Sequence, residues 1–211
     1  MIPTIIGILA FGKLQVNSRL IFLLVVTGSV PQMVSEFMGT NTSLGNLFYN
    51  INIPIEYTVI FFFFKTSFFS KSKGKIFYFI AIAGFLMAIA FLVFDGIQKR
   101  FISEWVCFNN IIFTAWILLL LLEIYEDDSI YLGQKMPLFW YLLGLFFYTS
   151  CTVLIFCFWG YITTTRNEYF NVLFQVYDLF NIFMYIAFSI GLLLDLSATT
   201  TLKQKKQHDK P

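Results

Sequence analysis

Three stretches of this chain carry no charged side chain: Ile76 to Phe94, Trp105 to Leu122 and Met136 to Thr165. Each approaches or exceeds the roughly 20 residues that an α-helix needs to cross a bilayer core. No water inside that core satisfies an open backbone amide, so apolar runs of this length have to be helices. The composition agrees, with 58% apolar, 20% aromatic and only 12% charged residues, against about 25% charged in soluble domains. The expected fold is all-α, a polytopic membrane helix bundle.

Six full spans are expected, at about Val16 to Phe37, Phe48 to Phe69, Ile76 to Phe94, Ser103 to Glu123, Pro137 to Gly160 and Tyr169 to Asp195. Polar breaks separate them, and none is long enough to fold as a second domain. Residues 1–195 therefore read as one transmembrane bundle and residues 196–211 as a polar cytoplasmic tail. The apolar start, Met1 to Gly12, reaches only about 18 Å as a helix at 1.5 Å per residue, too short to span alone. It is expected to form a short or truncated seventh helix packed on the bundle rather than an interfacial segment or a signal peptide. Orientation follows from Lys and Arg in the short loops. With the tail inside, the inner face takes Lys13, Arg19, Lys65, Lys71, Lys73, Lys75, Lys135, Lys203, Lys205, Lys206 and Lys210, and the outer face only Lys99, Arg100 and Arg166. This bias makes the expected side of the C-terminus cytoplasmic.

Several function classes fall away. A net charge of +2 and one histidine, His208 in the tail, leave no basic face for nucleic acid and no histidine for zinc or Ser-His chemistry within the bundle. No phosphate-binding loop, dinucleotide fingerprint, HExxH, CxxC or GxSxG occurs, so no catalytic residue, cofactor or metal is expected. A retinal Schiff base needs a mid-span lysine, and every lysine lies in a loop or at a span end.

Ionisable groups within spans cost about 2.5–3.5 kcal/mol at a helix centre and usually face the bundle interior. Glu56 and Asp178 stand out, both about two turns below the outer face. Asn52 shares a helix face with Glu56, and Asn171, Gln175, Asp178, Asn181 and Tyr185 draw one polar stripe along the last helix. Asn109 and Asn110 add polar groups at this depth. The candidate ligand-binding set is Glu56, Asp178, Asn52, Gln175, Asn181 and Asn109, in an outward-facing polar cavity. Glu36, near a span end, is a weaker candidate. The competing explanation is interhelical hydrogen bonding without a ligand, and a proton path is a third.

The Phe61 to Phe64 run, with Phe68 and Phe69, is expected to pack or face lipid. Trp105, Trp140, Trp159, Tyr131, Tyr161 and Tyr169 sit near span ends as interfacial anchors. Cys107 and Cys157 fall at one depth on neighbouring antiparallel spans, yet isolated cysteines in spans usually behave as small apolar residues, so they are expected unbonded.

Asn46-Leu-Phe-Tyr-Asn50, then Ile55-Glu56 and a Phe-rich run, Pro137-Leu-Phe-Trp140 opening a helix, and Tyr177-Asp-Leu-Phe-Asn181 in the last one resemble a family of uncharacterised bacterial multi-pass membrane proteins. That family is similar to the seven-helix membrane sensor domain of histidine kinases. The resemblance spans about Leu20 to Leu194 and implies a seven-helix bundle and signal reception through a separate partner protein. The expected function is a sensory or accessory membrane protein that binds a small ligand or cation. A proton- or cation-coupled transporter or channel is the alternative, and a lipid-modifying enzyme with a carboxylate pair the weaker one.

Overall fold

The computed structural model of the chain describes residues 2–38, 43–67, 74–95, 102–126, 136–158 and 169–208. Among these residues lie seven α-helices and no strand: α1 (Ile2–Ala10), α2 (Val16–Met38), α3 (Ser43–Ser67), α4 (Gly74–Asp95), α5 (Ser103–Glu126), α6 (Pro137–Cys157) and α7 (Tyr169–His208), with a 3₁₀ turn at Phe11–Lys13. Four stretches, Leu44–Ser67, Ser103–Tyr125, Pro137–Cys157 and Gln175–Ala198, are long and apolar enough to cross a membrane. The apolar described parts of α2 and α4, Val16–Pro31 and Phe77–Phe91, are shorter. Large apolar side chains cover the outside, among them Leu179, Ile182, Ile186 and Leu193 along one stripe of α7, as lipid contact requires.

Cross-helix contacts set the directions. Paired contacts, Asn17–Thr66 with Gly28–Glu56, Phe61–Phe77 with Tyr57–Ala81, Phe77–Trp116 with Phe91–Trp105, Cys107–Cys157 with Thr114–Thr149, and Gly144–Ala187 with Tyr148–Tyr177, show that successive long helices run antiparallel. The tail end of the bundle therefore holds the start of α2 and the later turns of α7. The opposite, far end holds the starts of α3, α5 and α7.

Lipid tails are as apolar as leucine, so helices associate in a bilayer through close packing and hydrogen bonds. The α6–α7 seam shows both. Gly144 faces Ala187 and Phe188, where an added Cβ would lie 3.1 and 3.2 Å from their atoms, and Gly191 lies against the Tyr141 ring. Tyr141 is fully buried and donates its hydroxyl to Ser18 Oγ at 2.8 Å, which ties α6 to α2. The tail half of the core is aromatic, with Phe63, Phe64, Trp116, Tyr141 and Phe188 fully buried and Phe77 4.6 Å from Trp116 between ring centroids. Phe63 and Phe64 thus pack inward, while Phe62 is exposed; Phe68 and Phe69 lie outside the described residues.

α1 has nine residues and buries Pro3, Gly7 and Ala10, one face of the helix. It packs on α7 and α2, and Gly7 is small because the Phe22 ring occupies the position a side chain would take. Two sequence expectations need correction. Trp105 is not an interfacial anchor: it is 2% exposed, packed near Tyr57 and Phe91, because α3 and α4 close over the start of α5. Helix α7 does not stop at Asp195 but runs 40 residues to His208, since a polar stretch free of Gly and Pro continues a helix at little cost. Trp140 is half-buried. Trp159, Tyr131, Tyr161 and the side chain of Tyr169 lie outside the described residues.

Candidate functional site

Glu56 sits on α3 between two features that hold its carboxyl. One turn earlier, Asn52 donates Nδ2–H to Glu56 Oε1 at 2.7 Å, the contact that i, i+4 spacing provides on a helix. Across the seam α2 presents Gly28, where an added Cβ would lie 3.2 Å from the same oxygen. A larger residue at position 28 would press on the carboxyl. Pro31 and Pro54 stand within α2 and α3 near this level, and each removes one bond of its helix ladder.

On the facing wall, Tyr148 of α6 and Tyr177 of α7 share a hydrogen bond between hydroxyls at 3.1 Å. These two and Tyr185 are all close enough to interact electrostatically with Glu56. Thr114 and Thr149 bond at 2.9 Å.

Between these walls lies a cavity of about 340 Å³, bordered by α2, α3, α5, α6 and α7. Glu56, Asp178, Asn52 and Asn181 all line it. Glu56 is half-buried and Asp178 exposed, so Asp178 marks the open rim on α7. The volume falls in the range of small-molecule pockets, about 300–1,000 Å³.

Two expected residues lie elsewhere. Gln175 is exposed and does not line the cavity, because its i, i+3 relation to Asp178 leaves it a turn beyond the rim. Asn109 is 4% exposed but does not line the cavity, and its Oδ1 lacks a hydrogen-bond partner among the described residues. Its neighbour Asn110 lines the cavity instead. The helix turn between them, 100° per residue, decides which of the two faces inward. The side chains of Glu36 and Asn171 lie outside the described residues.

Sequence reasoning missed Tyr49 and Tyr148 as wall residues. Uncharged tyrosines in an aromatic-rich chain carry no signal until the helices are rotated into place. It also missed the Cys107–Cys157 pairing. The structure joins these residues as a disulfide with a Cα–Cα distance of 5.8 Å, which corrects the expectation of unbonded thiols, because the α5 and α6 rotations bring the two sulfurs together. The bond lies at the far end, beside the cavity-lining residues Val106 and Phe156. Cys151 is free and half-buried.

A buried carboxylate holds the tail end. Asp195 is 1% exposed and accepts the backbone N–H of Gln15 at 2.8 Å. A carboxylate at the start of α2 also faces the positive end of that helix dipole. This contact fixes the α1–α2 turn against α7 and is structural.

Among the described residues no group of three or more His, Cys, Asp and Glu side chains is gathered to hold a metal ion. The chemistry available at the cavity is therefore carboxyl, amide, hydroxyl and aromatic. No protein-family model, curated protein or solved structure matches the chain.

Proposed function

We propose that the chain is a sensory or accessory protein of a bacterial inner membrane, binding a small ligand or cation in its cavity and signalling through a partner protein. The observation that carries this is the shared cavity: two carboxylates from non-adjacent helices meet one space of small-molecule size. An i, i+4 hydrogen bond within α3 accounts for Asn52 with Glu56, but an exposed Asp178 on the rim adds nothing to packing. Reception is favoured over transport by α7, a single helix from the cavity wall to the Lys-rich tail. At 1.5 Å per residue its 40 residues reach about 60 Å, roughly twice the bilayer core. A shift of its cavity end thereby reaches a partner at the tail.

In this proposal α2 and α4 also cross the membrane, completing six spans, and the tail is cytoplasmic. The Lys and Arg bias supports that orientation. So does the disulfide, which lies at the end opposite the tail, since disulfides persist on the oxidising side of a bacterial inner membrane. The resemblance to kinase sensor domains points the same way.

The test is reconstitution into liposomes with a panel of small amines, amino acids and monovalent cations. A receptor shows a ligand-dependent rise in unfolding temperature with no flux, as mass action on the folded state requires. Uptake that depends on Glu56 and Asp178 would favour the transporter instead.

A further inference from the structure

Among the described residues the cavity wall has one sign of charge and an aromatic lining. Glu56 and Asp178 are its ionisable carboxylates, and no described Lys, Arg or His lines it. Seven of the lining residues are aromatic, including Phe113, Tyr148, Phe156, Tyr177 and Tyr185. The remainder is largely aliphatic, with the Asn52, Asn110 and Asn181 amides and the Thr149 hydroxyl as neutral polar groups.

Each class of small solute makes a different demand on such a wall. An anion would meet two carboxylates and no cation among the described residues. A bare divalent ion takes six or more oxygen ligands at fixed distances, and the described residues gather no cluster of that kind. A proton or alkali ion has no use for about 340 Å³ of space. A neutral apolar solute would cover the carboxylates without pairing them, which costs free energy. One class satisfies every wall at once. A positive nitrogen is attracted by the carboxylates and by the faces of Tyr and Phe rings, while its carbon groups fill the aliphatic remainder.

Resting on the cavity-binding function proposed above, we infer that the ligand is a small organic ammonium ion, held between Glu56 and Asp178 and enclosed by the tyrosines of α6 and α7. The Tyr148–Tyr177 hydrogen bond keeps those two rings in place on the wall opposite Glu56. Asp178, on the exposed rim, meets the cation first, and the half-buried Glu56 holds it within.

The experiment uses the full chain in lipid nanodiscs and three probes: choline, ethanolamine and 3,3-dimethylbutan-1-ol, the uncharged shape-match of choline. Binding is read by calorimetry, with folding checked separately by thermal unfolding. At least one of the two cations should bind about tenfold or more tightly than the neutral alcohol. Asp178→Asn, at an exposed position and so expected to fold, should weaken that cation about tenfold and leave the alcohol unchanged. Glu56→Gln, which keeps the shape of the side chain, should weaken it at least as much. Binding of both cations no tighter than the alcohol would overturn the ammonium inference while leaving the cavity a ligand site. Failure of both cations at millimolar concentration would overturn it as well. A wider set of neutral and acidic solutes then separates the two claims, since binding of any of these keeps the cavity function and binding of none removes it.

Discussion

Gly191→Ala tests the tightest glycine contact of the α6–α7 seam. A Cβ built on Gly191 falls on the Tyr141 ring, within 2.8 Å of Cδ1 and 2.9 Å of Cζ. The ring has little room to retreat. It is 0% exposed, it packs edge-on against Phe63 and Phe188 at 6.3 and 6.1 Å between centroids, and Ser18 holds its hydroxyl. Overpacking of this kind costs about 1–3 kcal/mol, and displacing the hydroxyl from Ser18 costs about 0.5–1.5 kcal/mol more. Against this, Ala gains about 1 kcal/mol over Gly in a helix interior. The balance is a loss of roughly 2 kcal/mol. Thermal unfolding in detergent should therefore show a lower midpoint. Gly191→Ala combined with Tyr141→Leu should recover part of the loss, because the ring that clashes is gone, and the non-additivity of the pair measures the contact. A Gly191→Ala protein as stable as the parent, or more so, would refute the packing described for α6 and α7.

Three further outcomes are expected. Asp195→Ala should lower stability by about 1.5–3 kcal/mol, because the Gln15 N–H loses its carboxylate acceptor; an unchanged midpoint in the same unfolding assay would count against that contact. Protein isolated under non-reducing conditions should take up a thiol reagent at Cys151 alone, with Cys107 and Cys157 reacting only after reduction, and mass spectrometry of the labelled peptides reads this directly. A reporter active only outside the cytoplasm, fused after Pro211, should stay silent; a strong signal would invert the topology.

Much of the bundle was legible because the determining signals are one-dimensional. Apolar runs broken by polar segments located most helix ends to within a few residues, the end of α7 excepted, and the short reach of Met1 to Gly12 marked α1 as an accessory helix. The Asn52–Glu56 pair was legible for the same reason, since i, i+4 spacing survives any rotation of the helix. What failed depended on rotation. Helix α5 is apolar on every side, so nothing in its pattern says which face turns inward, and Asn109 was chosen where Asn110 lines the cavity. Trp105 resembled an anchor because it lies near a helix start, yet the neighbouring helices cover it. Asp195 read as the border of a span, and only the return of the α1–α2 turn buries it. Cys107 and Cys157 paired for a similar reason, through the relative rotation of two helices.

In the proposed function Asp178 borders a solvent-accessible cavity open to the outer face, whereas its neighbour Leu179, 63% exposed and not part of the cavity wall, faces lipid. Asp178→Cys and Leu179→Cys, each in a Cys151→Ser background, separate the two environments. Intact cells would be treated with a membrane-impermeant cationic methanethiosulfonate, which reacts with ionised thiols in water and not with thiols in hydrocarbon. Rapid modification of Asp178→Cys with little at Leu179→Cys is the expected result. An unreactive Asp178→Cys, or equal labelling at both positions, would contradict the account.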